Sequence, residues 1–150
     1  LLLLPDGQGA YVQIGGTNDH PGPPLFNNQN TNHYGTQGLI NVIPLLAGDY
    51  NAWNPLNPPI GPLLAFNDMS LPNGGLFDIS GRWRPSHNEH RVGLNVDLRV
   101  NTLGVAPPLP GQNNLRRTWV WGRINELFGN EPEEEDYGNR NWHWHLTVDQ

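Results

Sequence analysis

The histidines of this chain are concentrated where they can act together. Four of the six lie in two short segments, as His87 and His90 and as His143 and His145. The chain has no cysteine, so a bound metal ion must be held by imidazole and carboxylate groups. Two imidazoles and one carboxylate suit a catalytic zinc ion, because the fourth tetrahedral position stays open for water. The candidate ligands of one Zn²⁺ ion are His90, Asp97 and His145.

Two segments of alternating polarity are predicted to position these side chains. Residues 94–100 form a strand whose polar face carries Asn95, Asp97 and Arg99. Residues 142–148 form a second strand, with Trp142 and Trp144 in the core and a polar face of His143, His145 and Thr147. Gly93 interrupts the first strand, so His90 can lie on the preceding loop and fold back toward Asp97. If the two strands are neighbours, the three candidate ligands converge.

The remaining pattern is typical of an α+β domain, built on a small antiparallel sheet with a few flanking helices and long loops. Residues 36–50 have apolar side chains at helical spacing, with Thr36 as the cap. Pro44 is expected to kink or shorten this helix, because proline lacks the backbone donor. Residues 1–35 are expected to be irregular or extended.

The C-terminal half supplies shorter elements. Residues 63–68 and 118–121 are predicted strands, and residues 123–128 a short helix ended by Gly129. Residues 131–136 are predicted to be a solvated acidic loop. Any of the carboxylates in that loop is a candidate general base, since nothing in the spacing selects one of them.

Length and composition indicate one loop-rich domain. The chain has 150 residues, of which 36% are apolar, and it contains 18 Gly and 15 Pro. We therefore expect a single domain over residues 1–150, in which residues 1–32 form an irregular N-terminal extension. Since the chain does not begin with Met, we expect it to be part of a longer precursor.

Charge and hydropathy exclude two classes of partner. The formal net charge is −6 and the arginines are scattered, whereas binding to nucleic acid needs a clustered basic surface. The longest apolar run covers residues 1–4, which is too short to span a membrane and lacks the flanks of a signal peptide. We therefore expect neither a nucleic-acid partner nor a membrane span.

The order of these motifs resembles a known family. Residues 86–98 read Ser-His-Asn-Glu-His-Arg-Val-Gly-Leu-Asn-Val-Asp-Leu, and residues 143–145 read His-Trp-His. This resembles the metallopeptidase group of lysostaphin-type enzymes, D-alanyl-D-alanine metallopeptidases and the hedgehog signalling domain. The penicillin-insensitive murein endopeptidases share the pattern His-x-x-His-x-x-Gly-Leu-x-Val-Asp followed by His-x-His. Tyr34-Gly35 and the loop at residues 68–75 extend the resemblance to about residues 33–148.

The resemblance implies a hedgehog-like fold and a role for each matching residue. His90, Asp97 and His145 match the three zinc ligands. His143 matches a histidine that assists catalysis by hydrogen bonding to the attacking water or the oxyanion, and His87 matches another active-site histidine. The implied activity is hydrolysis of peptide cross-links in peptidoglycan, as an endopeptidase, in the periplasm or outside the cell.

Two departures from the family leave alternatives open. Arg140 stands where the endopeptidases have a further histidine, and Trp142 stands where the carboxypeptidase branch has its glutamate, so the general base is not identified.

One alternative function is a non-catalytic, zinc-containing module that binds cell wall or protein. Another keeps the chemistry but acts on an ordinary peptide. His143 is also a candidate for only orienting a ligand, and His87 for only bonding a loop carbonyl.

Overall fold

The computed structural model of the chain describes residues 1–13, 33–54, 63–67, 69–70, 92–99, 115–136 and 142–149. Within these residues the chain is an α+β protein, as the sequence predicts. The elements in chain order are β1 (Leu2–Leu3), β2 (Val12–Gln13), β3 (Tyr34–Gly35), α1 (Gln37–Trp53), β4 (Ala65–Phe66), β5 (Asn95–Arg99), α2 (Leu115–Phe128), β6 (Glu133–Asp136) and β7 (Trp142–Thr147).

The larger sheet has the strand order β2-β4-β5-β7-β6, and β1 pairs with β3 in a second, two-stranded sheet. The expectation of an antiparallel sheet is correct for the pairs β4-β5, β5-β7 and β7-β6. It is wrong for β2, which runs parallel to β4. The N-terminal residues bring β2 to that edge, and their side chains Leu4 and Tyr11 are buried in the core.

Helix α1 forms where the sequence predicts it, and its register follows from one apolar stripe. Thr36 is the N-cap, and its side chain accepts a hydrogen bond from the backbone N–H of Leu39. The buried side chains recur every three or four residues, at Leu39, Ile40, Ile43, Leu46, Ala47 and Tyr50. The helix continues through Pro44 to Trp53, so the predicted shortening is wrong. Pro44 is exposed, so its ring lies away from the buried stripe of the helix.

Helix α2 corrects the interpretation of residues 118–121 as a strand. The helix covers these residues, and its buried side chains Val120, Ile124 and Phe128 lie four residues apart on one face. A four-residue run with three apolar side chains does not distinguish a strand from one turn of a helix, because it is too short to show either periodicity. The helix ends before Gly129, whose φ of 81° suits glycine at that position.

Strand β6 corrects the prediction of an acidic loop at residues 131–136. Four acidic residues have low strand propensity, but β7 supplies a partner, and β6 is the last strand of the sheet in its order. Charged side chains on an edge strand also discourage pairing with another chain. On the helical side of β6, Glu134 accepts a hydrogen bond of 3.1 Å from Arg117 of α2.

The core lies on one side of the central strands. Val96 and Leu98 of β5 and Trp144 and Leu146 of β7 are buried in one cluster with side chains of both helices, so the predicted apolar faces are confirmed. Trp121 meets the Trp144 ring edge-on, and the Arg117 guanidinium carbon lies 5.3 Å from the centre of that ring. The opposite face of β5 and β7 is thereby left for the polar side chains. None of the helices in the described ranges is long and apolar enough to cross a membrane.

Candidate metal centre

The pairing register of three strands places the polar side chains in rows on one face of the sheet. Residues directly opposite each other on neighbouring strands lie on the same face, with their side chains in contact range. Asp97 of β5 pairs with His145 of β7, and His145 pairs in turn with Glu133 of β6. The next row is Arg99, His143 and Glu135, and the row on the other side is Asn95 and Thr147.

Asp97 and His145 form the centre of this face. Oδ1 of Asp97 lies 3.0 Å from Nδ1 of His145, and both side chains are buried, at 3% and 5% exposure. The sequence predicts a polar face but not a buried one. Removing a carboxylate and an imidazole from water is costly unless they bind each other or a cation. The burial therefore distinguishes this pair from solvated surface residues and makes it the candidate site.

His143 lies beside this pair and closer to solvent. Its Nε2 atom is 3.1 Å from Oε2 of Glu135 and 3.5 Å from Oδ2 of Asp97. Side-chain exposure rises from 3% at Asp97 to 14% at His143 and 25% at Glu135. The His143 side of the cluster is therefore more open to solvent, and the Asp97 carboxylate lies at the inner end.

Asn95 of β5 contacts the second ring nitrogen of His145. Its Nδ2 atom is 2.9 Å from Nε2 of His145 and 2.7 Å from Oγ1 of Thr147. The strand that carries Asn95 and Asp97 begins two residues after Gly93, whose φ of 74° marks the interruption expected from the sequence. Both ring nitrogens of His145 thus have a partner on β5.

The structure brings together three of the five residues predicted for the site. Asp97, His143 and His145 are neighbours, as the alternation of the two strands predicts. His87 and His90 lie outside the described residues, so their positions stay predictions. Glu135 is the residue that the sequence does not single out. The signal that selects it is the pairing of β6 with β7, which places it opposite His143.

The donor atoms of Asp97 and His145 are compatible with zinc. Two ligands bound to one tetrahedral zinc ion at about 2.1 Å lie about 3.4 Å apart. The 3.0 Å between Oδ1 of Asp97 and Nδ1 of His145 is close to that separation, and it also suits a hydrogen bond. Among the described residues, no three histidines or carboxylates are grouped so as to hold a metal ion. A three-ligand site therefore requires a donor from outside the described residues, and His90 is the one that the sequence predicts.

Comparisons with known proteins assign no family to this geometry. No protein-family model matches the chain, and neither a curated protein nor a solved structure does. The assignment of a function therefore depends on the residues of the site and on their pattern in the sequence.

Proposed function

We propose that the chain is a zinc-dependent peptidase domain with a fold like that of the hedgehog and D-alanyl-D-alanine metallopeptidase group. In this proposal His90, Asp97 and His145 hold one zinc ion. The observation that carries the proposal is the buried contact between Asp97 and His145, because two donors far apart in sequence direct their ligating atoms to one point. His90 belongs to the same motif as Asp97 and supplies the third donor.

The side chains around the pair have separate tasks. A bound zinc ion would polarise the scissile carbonyl and lower the pKa of the attacking water. His143 accepts and returns a proton at Nδ1, because its Nε2 atom lies between the carboxylates of Glu135 and Asp97 and donates its own proton to them. Glu135 holds that ring in place by its contact of 3.1 Å. His87 is the second candidate for proton transfer, by its place in the sequence motif.

The substrate proposed is peptidoglycan, cut within its peptide cross-links by endopeptidase action. This part of the proposal is supported by the resemblance of residues 86–98 and 143–145 to the murein endopeptidases. By the same resemblance, we propose that the enzyme acts in the periplasm or outside the cell. The more open approach beside His143 and Glu135 suits a peptide that enters from the edge of the sheet.

Two measurements on purified protein test the proposal. The first is zinc content of the wild type, of His145→Ala, and of His20→Ala, which replaces a histidine with no assigned role. We expect about one zinc ion per chain in the wild type and in His20→Ala, and none in His145→Ala. A wild-type chain that binds no zinc would contradict the proposed site.

The second measurement is cleavage of cross-linked muropeptides with and without a chelator, alongside L-peptides of similar length. We expect cleavage of the muropeptides that the chelator stops and that zinc restores. Stoichiometric zinc with binding but no cleavage would instead identify the non-catalytic module. Cleavage of the L-peptides alone would support a zinc peptidase whose substrate is an ordinary peptide and not peptidoglycan.

A further inference from the structure

Both ring nitrogens of His145 are engaged by side chains of one strand. Nδ1 lies 3.0 Å from Oδ1 of Asp97, and Nε2 lies 2.9 Å from Nδ2 of Asn95. Asn95 is only 7% exposed, and the same amide nitrogen also contacts the Thr147 hydroxyl at 2.7 Å. The imidazole therefore cannot change the position of its proton without a response from Asn95.

The orientation of the Asn95 amide decides which ring nitrogen carries that proton. An amide nitrogen only donates, so with Nδ2 facing the ring, Nε2 must accept and Nδ1 must hold the proton. Nδ1 then donates to Asp97. This is a complete hydrogen-bonded arrangement, but Nδ1 has no lone pair available for a metal ion.

A half-turn of the same amide gives a second complete arrangement. The carbonyl oxygen then takes the place of the nitrogen, and it accepts both the Nε2–H of His145 and the hydroxyl proton of Thr147, which is free to rotate. Nδ1 now presents a lone pair beside the Asp97 carboxylate. Two electron-rich atoms at that distance repel unless a cation lies between them.

We propose that Asn95 is a positioning residue that sets the tautomer of His145 and thereby makes Nδ1 the zinc-binding atom. The proposal rests on the zinc site proposed above and adds a residue outside the ligand set. Metal-bound histidines commonly donate their other N–H to an oxygen atom that fixes the ring and raises its basicity. Here the amide oxygen of Asn95 has that role, and its nitrogen stabilises the metal-free state.

The test is a zinc titration of the full chain against a competing chelator. Asn95→Leu removes the acceptor with little change in volume, and we expect its zinc affinity to fall about 10- to 100-fold. Asn95→Asp keeps an oxygen at the same place and should retain at least the wild-type affinity. Asn54→Leu is the matched control, because Asn54 is also buried and hydrogen-bonded, in its case to Arg116. Its zinc affinity should not change.

Nitrogen NMR of the His145 ring supplies a readout that does not depend on activity. We expect the proton on Nδ1 in the metal-free wild type and on Nε2 after zinc is added. A zinc-bound ring that keeps its proton on Nδ1 would overturn the proposal, since the metal would then occupy the other nitrogen.

The affinities separate this proposal from the zinc site itself. If the wild type binds zinc and Asn95→Leu binds it equally well, the role of Asn95 is overturned and the zinc site stands. If the wild type binds no zinc, both fail. Should Asn95→Leu not fold, Asn95→Asp decides, because a tenfold weaker affinity in that variant contradicts the requirement for an oxygen acceptor.

Discussion

The Asp97 carboxylate and the His145 imidazole meet across two adjacent strands, with Oδ1 3.0 Å from Nδ1, although 48 positions separate them in the chain. Direct pairing of their backbones on β5 and β7 fixes the contact. Because both side chains are buried, removing either one takes a short polar contact away from the other in the protein interior. Changes at this pair are therefore expected to affect metal binding and stability together.

Asp97→Asn should separate these two effects. The amide oxygen can still accept from Nδ1–H, so the metal-free protein should lose only about 1 kcal/mol, the difference between a charged and a neutral hydrogen bond. Zinc affinity should fall by at least about 100-fold, since a ligand loses its charge. Zinc titration and urea unfolding measure the two quantities. Asp49→Asn, which breaks the ion pair with Arg123 between the helices, is the control and should leave zinc affinity unchanged.

His143→Ala should keep the zinc ion and lose the reaction. His143 is not one of the proposed ligands, and its Nε2 atom lies at the more exposed side of the site. Loss of a group that transfers a proton reduces kcat by about 10²- to 10⁴-fold. Zinc content and steady-state hydrolysis of muropeptides check this. Loss of zinc in this variant would instead make His143 a ligand.

Glu135→Gln should have a smaller effect than loss of His143. The glutamine keeps the shape but weakens the contact at 3.1 Å that orients the ring, so we expect kcat to fall on the order of tenfold with zinc content unchanged. Glu134→Gln is the matched control on the same strand, because Glu134 contacts Arg117 on the opposite face. Equal activities of the two variants would remove Glu135 from the site.

Ile124→Ala tests the assignment of α2 as a helix with one buried face. Ile124 is fully buried between Val120 and Phe128 on that face, so its truncation should lower the free energy of unfolding by about 2–5 kcal/mol. Asn125→Ala, one position along and exposed, should change it by less than about 0.5 kcal/mol. Chemical denaturation measures both, and similar losses in the two variants would contradict the helical face.

Tyr11 should make the protein less stable in alkali. Burial raises the pKa of the Tyr11 phenol above its ordinary value of 10.0, and the Asp6 carboxylate adds to the rise. The folded state thus disfavours the phenolate, so this contribution to stability is intact below pH 10.0 and is lost as the pH rises through the raised pKa. Urea unfolding on both sides of pH 10.0 should show a shallower decline for Tyr11→Phe than for the wild type.

The sequence predicts elements whose pattern is local and strong. Helix α1 follows from an apolar stripe with a threonine cap, and β5 and β7 follow from clean alternation. Strand β6 does not follow, because its four acidic residues form a strand only when β7 is beside them. The prediction of a strand at residues 118–121 is wrong for a different reason. A short run of mainly apolar side chains is compatible with a strand or with a helix, and here it is part of α2.

The same division holds within the site. Asp97, His143 and His145 could be predicted from residue type and strand parity, which are properties of short segments. The contacts of Glu135 and Asn95 depend on which residue faces which across a strand pair, and that register is set by the folded sheet. The burial of the polar face could not be predicted either, because it results from packing of the whole chain.

Because polar and apolar side chains alternate along β7, one strand register determines both the packing of the core and the formation of the polar cluster. His145 and Trp144 are adjacent and lie on opposite faces, one against Asp97 and the other among the helices. A slip of this strand by one residue would exchange them, placing an indole over the carboxylate and an imidazole among leucines. A molecule with the wrong register therefore cannot form both the polar cluster and the hydrophobic core. Metal binding by these side chains would thus report that β7 is in its correct register.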